Sequence, residues 1–130
     1  MTTIDPAVLG QLTSTKNVSL TTFRKNGDPV ATPVGSVVSE GTLYILSYPD
    51  TGKLKRLRTN ARVIVAPCDS SGRIPEGAPR VEATAKVLDH EETKVAYRAM
   101  ARKTVLARLA RVWFALRRKP DPWIGIAVTF

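Results

Sequence analysis

The 130 residues contain one cysteine, Cys68, and one histidine, His90. A single cysteine closes no internal disulfide, and no cluster of His, Cys and carboxylates has the spacing of a metal site. The inventory for hydrolytic catalysis is equally thin. His90 stands in Asp-His-Glu-Glu at the expected start of a helix, where imidazoles are commonly solvated, and Cys68 ends an expected strand with no histidine nearby in sequence, as a small buried residue would. No uncharged apolar run approaches the roughly 20 residues that span a bilayer. The opening Met-Thr-Thr-Ile-Asp lacks the basic and apolar regions of an export signal, so the cytoplasm is the expected compartment. Aromatics are sparse as well: three Phe, three Tyr and two Trp, scattered through the chain. Single-strand nucleic-acid binders interleave such rings with cations along strands, so nucleic acid is disfavoured as a partner despite the basic composition.

Acid is scarce, and its distribution is informative. The net charge is +9 and the pI near 10.2, a balance that calls for an anionic partner such as phosphate, polycarboxylate or a lipid headgroup. Two stretches contain no Asp or Glu. Residues 51–68 carry five Lys or Arg and residues 93–120 carry nine, so two patches hold fourteen of the twenty cations.

The hydrophobic fraction of 43% over 130 residues suffices for one packed domain spanning 1–130. Asp5-Pro6 reads as a cap and first turn of a short helix containing Val8, Leu9 and Leu12. Two β-branched runs, Asn17 to Phe23 and Pro29 to Val38, flank Lys25-Asn26-Gly27-Asp28, and a turn at Glu40-Gly41-Thr42 leads to a third strand, Leu43 to Ser47. A short helix with Leu54 and Leu57 on one side follows a cap at Asp50 or Thr51. Val63 to Pro67 and Arg80 to Leu88 read as strands, the second with Val81, Ala83, Ala85 and Val87 on one face. Asp89 opens a long helix whose Val105, Leu106, Leu109, Val112, Trp113 and Leu116 form an apolar stripe, with Pro120 and Pro122 beyond it. Trp123 to Phe130 is a last strand. Six strands without βαβ alternation predict a mainly β fold, an antiparallel barrel with peripheral helices.

The segment Thr51-Gly52-Lys53-Leu54-Lys55-Arg56-Leu57-Arg58 is a candidate anion site, since a helix start offers unpaired N–H groups and cations on the same turn can close around a phosphate. Taken with Asn17-Val18-Ser19-Leu20-Thr21-Thr22-Phe23-Arg24, with Gly27-Asp28-Pro29-Val30-Ala31-Thr32-Pro33-Val34, with Thr59-Asn60-Ala61-Arg62-Val63 and with the closing Trp123-Ile124-Gly125-Ile126-Ala127-Val128, it resembles the pyridoxamine-5′-phosphate-oxidase-like split β-barrel proteins, specifically the actinobacterial deazaflavin-dependent reductases of the B group. The resemblance covers nearly the whole chain. It implies an FMN-binding type of split barrel, a homodimer with the cofactor in a groove between subunits, and coenzyme F420 as cofactor, with FMN as the alternative. It places the cofactor phosphate at Lys53, with Thr51, Gly52, Lys55 and Arg56 as helpers. Thr32, Pro33, Val34 and Gly35 would lie along the tricyclic ring, and Val65, Ala66 and Pro67 would flank the same groove. Relatives often carry a bulky aromatic near the position of Gly35, so a wider pocket is expected here.

The implied reaction is hydride transfer from reduced deazaflavin to a small electron-poor acceptor, with solvent or cofactor supplying the proton, because no protein acid stands out. Two other readings keep part of this picture. A non-catalytic carrier of a flavin, deazaflavin or haem-like ligand would share the fold, and the basic helix, with Arg108, Arg111 and Arg118 opposite its stripe, could bring residues 105–119 to an anionic membrane surface.

Overall fold

The structure is a computed structural model, and it describes residues 6–15, 17–48, 51–103 and 123–130. Three helices and six strands follow in the order α1 (Pro6–Ser14), β1 (Asn17–Phe23), β2 (Pro29–Ser39), β3 (Thr42–Ser47), α2 (Gly52–Thr59), β4 (Arg62–Cys68), β5 (Val81–Val87), α3 (His90–Lys103) and β6 (Ile124–Thr129). The strands close an antiparallel barrel in the order β1-β2-β3-β6-β5-β4, which is the mainly β architecture expected from sequence. The expected caps at Asp5 and Asp50, and the stripe and prolines between 105 and 122, lie outside the described residues.

Alternation builds the core. Val18 and Leu20 of β1, Val63 and Val65 of β4, Leu43 and Ile45 of β3, and Ile126 and Val128 of β6 are all completely buried and pack together inside the barrel, as period-two side chains on closed strands must. The helices supply further core residues: Leu12 of α1 and Leu54 and Leu57 of α2 join the same cluster. Each of these leucines adds roughly 1.5–3 kcal/mol of burial.

The two hairpin turns differ in kind. At Lys25-Asn26-Gly27 the loop closes through Gly27 N–H to Arg24 O at 2.9 Å and Arg24 N–H to Asp28 O at 2.9 Å, with Gly27 at φ 93. This is a three-residue loop, one longer than the tightest Asn-Gly hairpin. At Glu40-Gly41 both residues have positive φ, 51 and 79, between the paired Ser39 and Thr42. That is a two-residue turn of the mirror-image type, and Glu40 is an unfavourable occupant of its first position. Glu40→Asn is expected to stabilise the protein by about 0.5–1 kcal/mol, read as a higher denaturation midpoint at unchanged slope; an unchanged midpoint would mean the turn is relaxed in solution.

Asp89 begins α3 as the sequence suggests. Its carboxylate accepts from Glu92 N–H at 2.7 Å while Glu92 Oε1 accepts from Asp89 N–H at 3.3 Å, a reciprocal capping box that satisfies two groups at a helix start. α3 packs against β6 at Gly125, where Thr93 Oγ1 accepts from Gly125 N–H at 3.0 Å. Trp123 there stacks on Tyr97, with ring centroids 5.8 Å apart, and meets Tyr48 edge-on at 6.3 Å.

Candidate functional site

One seam of the barrel is short. β2 pairs with β1 from Pro29 to Gly35 but with β3 only from Ser36 to Ser39. Hydrogen bonding alternates along an antiparallel pair, and the Arg24 N–H bond to Asp28 O fixes its phase. Val30, Thr32 and Val34 therefore spend their backbone groups on β1, whereas Ala31 and Pro33 turn theirs to the other side. Among the described residues, no strand pairs with them there. Pro29 and Pro33 occupy the outward-turned phase, the one place in a strand where a missing N–H breaks no ladder bond. The result is an open edge of about 20 Å from Pro29 to Val34.

Beyond Ser47 the chain leaves the sheet for α2. Ser47 Oγ and Thr51 Oγ1 lie 3.0 Å apart; Thr51 is the N-cap residue, yet its hydroxyl makes no capping bond, and the first turn holds no acid. Lys53 and Arg56, three residues apart, share one face of the helix. Arg56 Nε donates to Thr22 Oγ1 at 2.6 Å, and Thr22 is fully buried. The guanidinium folds back over the helix start, so that a Cβ placed on Gly52 would come within 2.7 Å of Arg56 Nη1. Thr22 is the cross-strand partner of Val30, which puts this cation pair one strand step from the open edge.

The electrostatics are uncompensated. Partial burial first, and the neighbouring Arg56 second, hold the Lys53 ammonium below its ordinary pKa. A cation whose pKa is lowered in the folded state works against folding at neutral pH, and the penalty fades as pH rises from that lowered value to the ordinary one, above which both states are neutral. A bound anion would reverse the effect. Among the described residues, none of Lys53, Lys55, Arg56 and Arg58 has an ion pair; the surface pairs join Arg62 to Glu82, Lys86 to Glu92 and Lys94 to Glu91. Arg62 is thus occupied, and it also lies 4.8 Å over the Phe23 ring. Four cations of the 51–68 stretch remain for a ligand.

The residues singled out from sequence fall into three places. Thr51, Gly52 and Lys53 lie at the start of α2 and the Arg56 guanidinium reaches back to them from its last turn, while Lys55 faces solvent. Thr32, Pro33, Val34 and Gly35 lie along β2 toward the end of its open half. Pro33 and Gly35 are exposed, Val34 points into the core, and a Cβ on Gly35 would meet nothing within 4 Å, so the space beside it is open. Val65, Ala66 and Pro67 sit on the far side of β1, opposite Leu20, Ser19 and Val18. They are two strands, about 10 Å, from β2, and all three are buried. Sequence reasoning did not single out Thr22 or Ser47 as part of the site. A hydroxyl in the inward row Val18, Leu20, Thr22 was the available signal for the first.

The loop from Asp69 to Pro79 covers part of this sheet. The Asp69 carboxylate accepts from Ser71 N–H at 2.9 Å, Ser71 Oγ at 2.6 Å and Arg73 N–H at 2.9 Å, and Gly72 comes against the Pro33 ring, 3.4 Å from where its Cβ would stand. Cys68, at the base of the loop, is buried. Burial first and the Asp69 charge second push its thiol above the ordinary value, so it should react with a disulfide reagent near pH 7.5 much more slowly than a free cysteine. Labelling at the free-thiol rate would show the loop leaving the strand end.

The model of the pyridoxamine 5′-phosphate oxidase family matches residues 4–121. The chain belongs to this family. No protein of curated function matches it in sequence. Similar solved structures include a FAD-binding protein from Mesorhizobium loti (TM-score 0.64, 21% identity, 95% of this chain and 85% of that one) and the heme storage protein HutZ from Vibrio cholerae (0.64, 13%, 98% and 90%). A third is a protein of Clostridium acetobutylicum related to general stress protein 26 of the pyridoxinephosphate oxidase family (0.65, 16%, 97% and 85%). At these identities the likeness is one of fold, the split barrel. Among the described residues no helix is long and apolar enough to cross a membrane, and no group of three or more His, Cys, Asp or Glu could hold a metal.

Proposed function

We propose that the chain is the subunit of a homodimeric oxidoreductase that binds coenzyme F420, with FMN as the alternative, at the open edge of β2 and the first turn of α2. The observation that carries this reading is that Lys53 and Arg56 share one face of α2, with the Arg56 guanidinium folded over Gly52, and that neither has an ion pair among the described residues. The donor set suits a phosphate: an ammonium, a guanidinium and an uncapped helix start all favour the same charge. Lys53 and Arg56 would hold that phosphate, and Thr51 and Gly52 would offer backbone N–H groups. Pro33 C=O and the backbone of Ala31 would face the polar edge of a planar ring, with Gly35 leaving room beside it. Lys55 and Arg58, exposed on the solvent side of α2, suit an anionic tail such as the oligoglutamate of F420, and this favours the deazaflavin over FMN. When bound, the reduced cofactor supplies a hydride to a small electron-poor acceptor. The protein's part is binding, orientation and exclusion of water, and the proton comes from solvent.

The FAD-binding protein of similar fold supports an oxidoreductase reading, and HutZ keeps a carrier role within the fold's range. Fluorescence titration of the protein with F420 and, separately, FMN tests the proposal, repeated with Lys53→Ala. Binding of F420 tighter than FMN, weakened about tenfold or more by the substitution, is the expected result. Binding of neither would overturn it. Turnover of an acceptor by the loaded protein separates a reductase from a carrier.

A further inference from the structure

We propose that Thr22 and Gly52 are positioning residues that hold Arg56 in the geometry needed to grip a phosphoryl or phosphodiester group together with Lys53. The inference rests on the reading of α2 as the phosphate site and adds to it the two residues that shape the grip. Neither has a charge, and the role inferred for each, through the Thr22 hydroxyl and the absent Cβ of Gly52, is separate from any backbone contact that Gly52 makes with the ligand.

Arginine has many accessible rotamers, and an unpaired guanidinium on a surface helix ordinarily extends into water. Arg56 does not extend. Its Nε is tied at 2.6 Å to a hydroxyl on β1, 34 residues away in sequence, and that hydroxyl is fully buried. A neutral oxygen holds the guanidinium without cancelling its charge, as a carboxylate would. The bond uses Nε alone, which leaves the two terminal nitrogens with the parallel N–H pair that suits phosphate. The direction of the side chain then depends on position 52. A β-carbon there would stand 2.7 Å from Nη1, too close for an ordinary contact, with Cζ at 3.6 Å and Nη2 at 3.7 Å. Any residue with a Cβ at 52 therefore displaces the guanidinium, and since it is the free end of a flexible side chain it can move aside at little cost to the fold. Gly52 is a residue whose replacement by alanine should help the helix and harm the site.

Both ends of the device can be tested on the intact protein by calorimetric titration with inorganic pyrophosphate and with FMN. Thr22→Val keeps the shape of the buried side chain and removes the acceptor; Thr22→Ser restores it; Gly52→Ala leaves the acceptor and fills the cradle. Thr22→Val and Gly52→Ala should each weaken binding roughly tenfold, Thr22→Ser should bind within about twofold of the unaltered protein, and Gly52→Ala should melt at the same temperature or higher. That pairing of unchanged or improved stability with lost affinity is one that a merely structural role for Gly52 would not produce. If the unaltered protein binds and Lys53→Ala weakens it while Thr22→Val and Gly52→Ala bind normally, the phosphate site stands and the positioning roles are wrong. If the unaltered protein binds neither probe, both fall.

Discussion

A Lys53→Glu variant is expected to lose cofactor binding by a factor of a hundred to a thousand, roughly 3–4 kcal/mol, while melting at or slightly above the temperature of the unaltered protein. The two halves have one cause. Lys53 stands beside Arg56 on the first turn of a helix with no acid in that turn, and its ammonium is held below its ordinary pKa by burial and by that arginine. Glutamate there relieves a repulsion, and a carboxylate near a helix N-terminus contributes about 0.3–1 kcal/mol. The same exchange turns one attraction for a bound phosphate into a repulsion at close range, which explains the size of the binding loss. Circular dichroism melts and fluorescence titration measure the two quantities. Binding of both cofactors as tightly as before would place the phosphate elsewhere, and a large fall in melting temperature would mean that Lys53 serves the fold.

Such opposed effects, once measured, would mark a place where local rules are broken for function. Elsewhere the chain follows them: the capping box of Asp89 and Glu92 and the acidic first turn of α3 treat that helix start as α2 is not treated. Both helices lie on the same small barrel, so a general preference of the fold does not explain the difference.

The parts of this arrangement differ in how far they could be read from the residues. Every described strand and the start of every described helix was legible to within two or three residues, because β-branched runs, the Asn26-Gly27 and Glu40-Gly41 turns and the Leu54/Leu57 spacing are local signals. The β1-β2-β3 meander followed from short connections. Closure did not: nothing local says that β6 inserts between β3 and β5 or that β1 pairs with β4, since those partners are far apart in sequence and meet only through the core. The cations of α2 were visible as composition. Their geometry was not, because it depends on a tertiary bond from Arg56 to Thr22, and Thr51, correctly placed at the cap, turns its hydroxyl to Ser47 instead of to the helix. Arg62 counts among the five cations of the 51–68 stretch, but its register opposite Thr84 on β5 puts it beside Glu82, which composition alone does not reveal.

Gly125 shows the same limit, and it leads to the largest expected effect on stability. In sequence it is a weak point in an apolar strand, Ile124-Gly125-Ile126. In the fold a Cβ at this position would stand 3.0 Å from Leu88 Cδ1, 3.1 Å from Ala96 Cβ and 3.3 Å from the backbone Cα of Thr93. The last of these cannot swing aside. Leu88 N–H also donates to Gly125 O at 2.8 Å, and Gly125 N–H donates to Thr93 Oγ1, so both backbone groups of this residue are tied to α3 and the segment that leads into it. Gly125→Val must push α3 off β6, overpacking the contact and stretching the bond to Thr93 at once. The expected loss is about 3 kcal/mol, or roughly 10 °C in melting temperature. It should loosen the stacking of Trp123 on Tyr97 as well, visible as a change in tryptophan fluorescence. Pyrophosphate affinity per folded molecule should hold, because the cation pair sits on α2 and is tied to β1 through Thr22. A variant as stable as the unaltered protein would show that α3 does not rest on β6 as closely as this geometry requires.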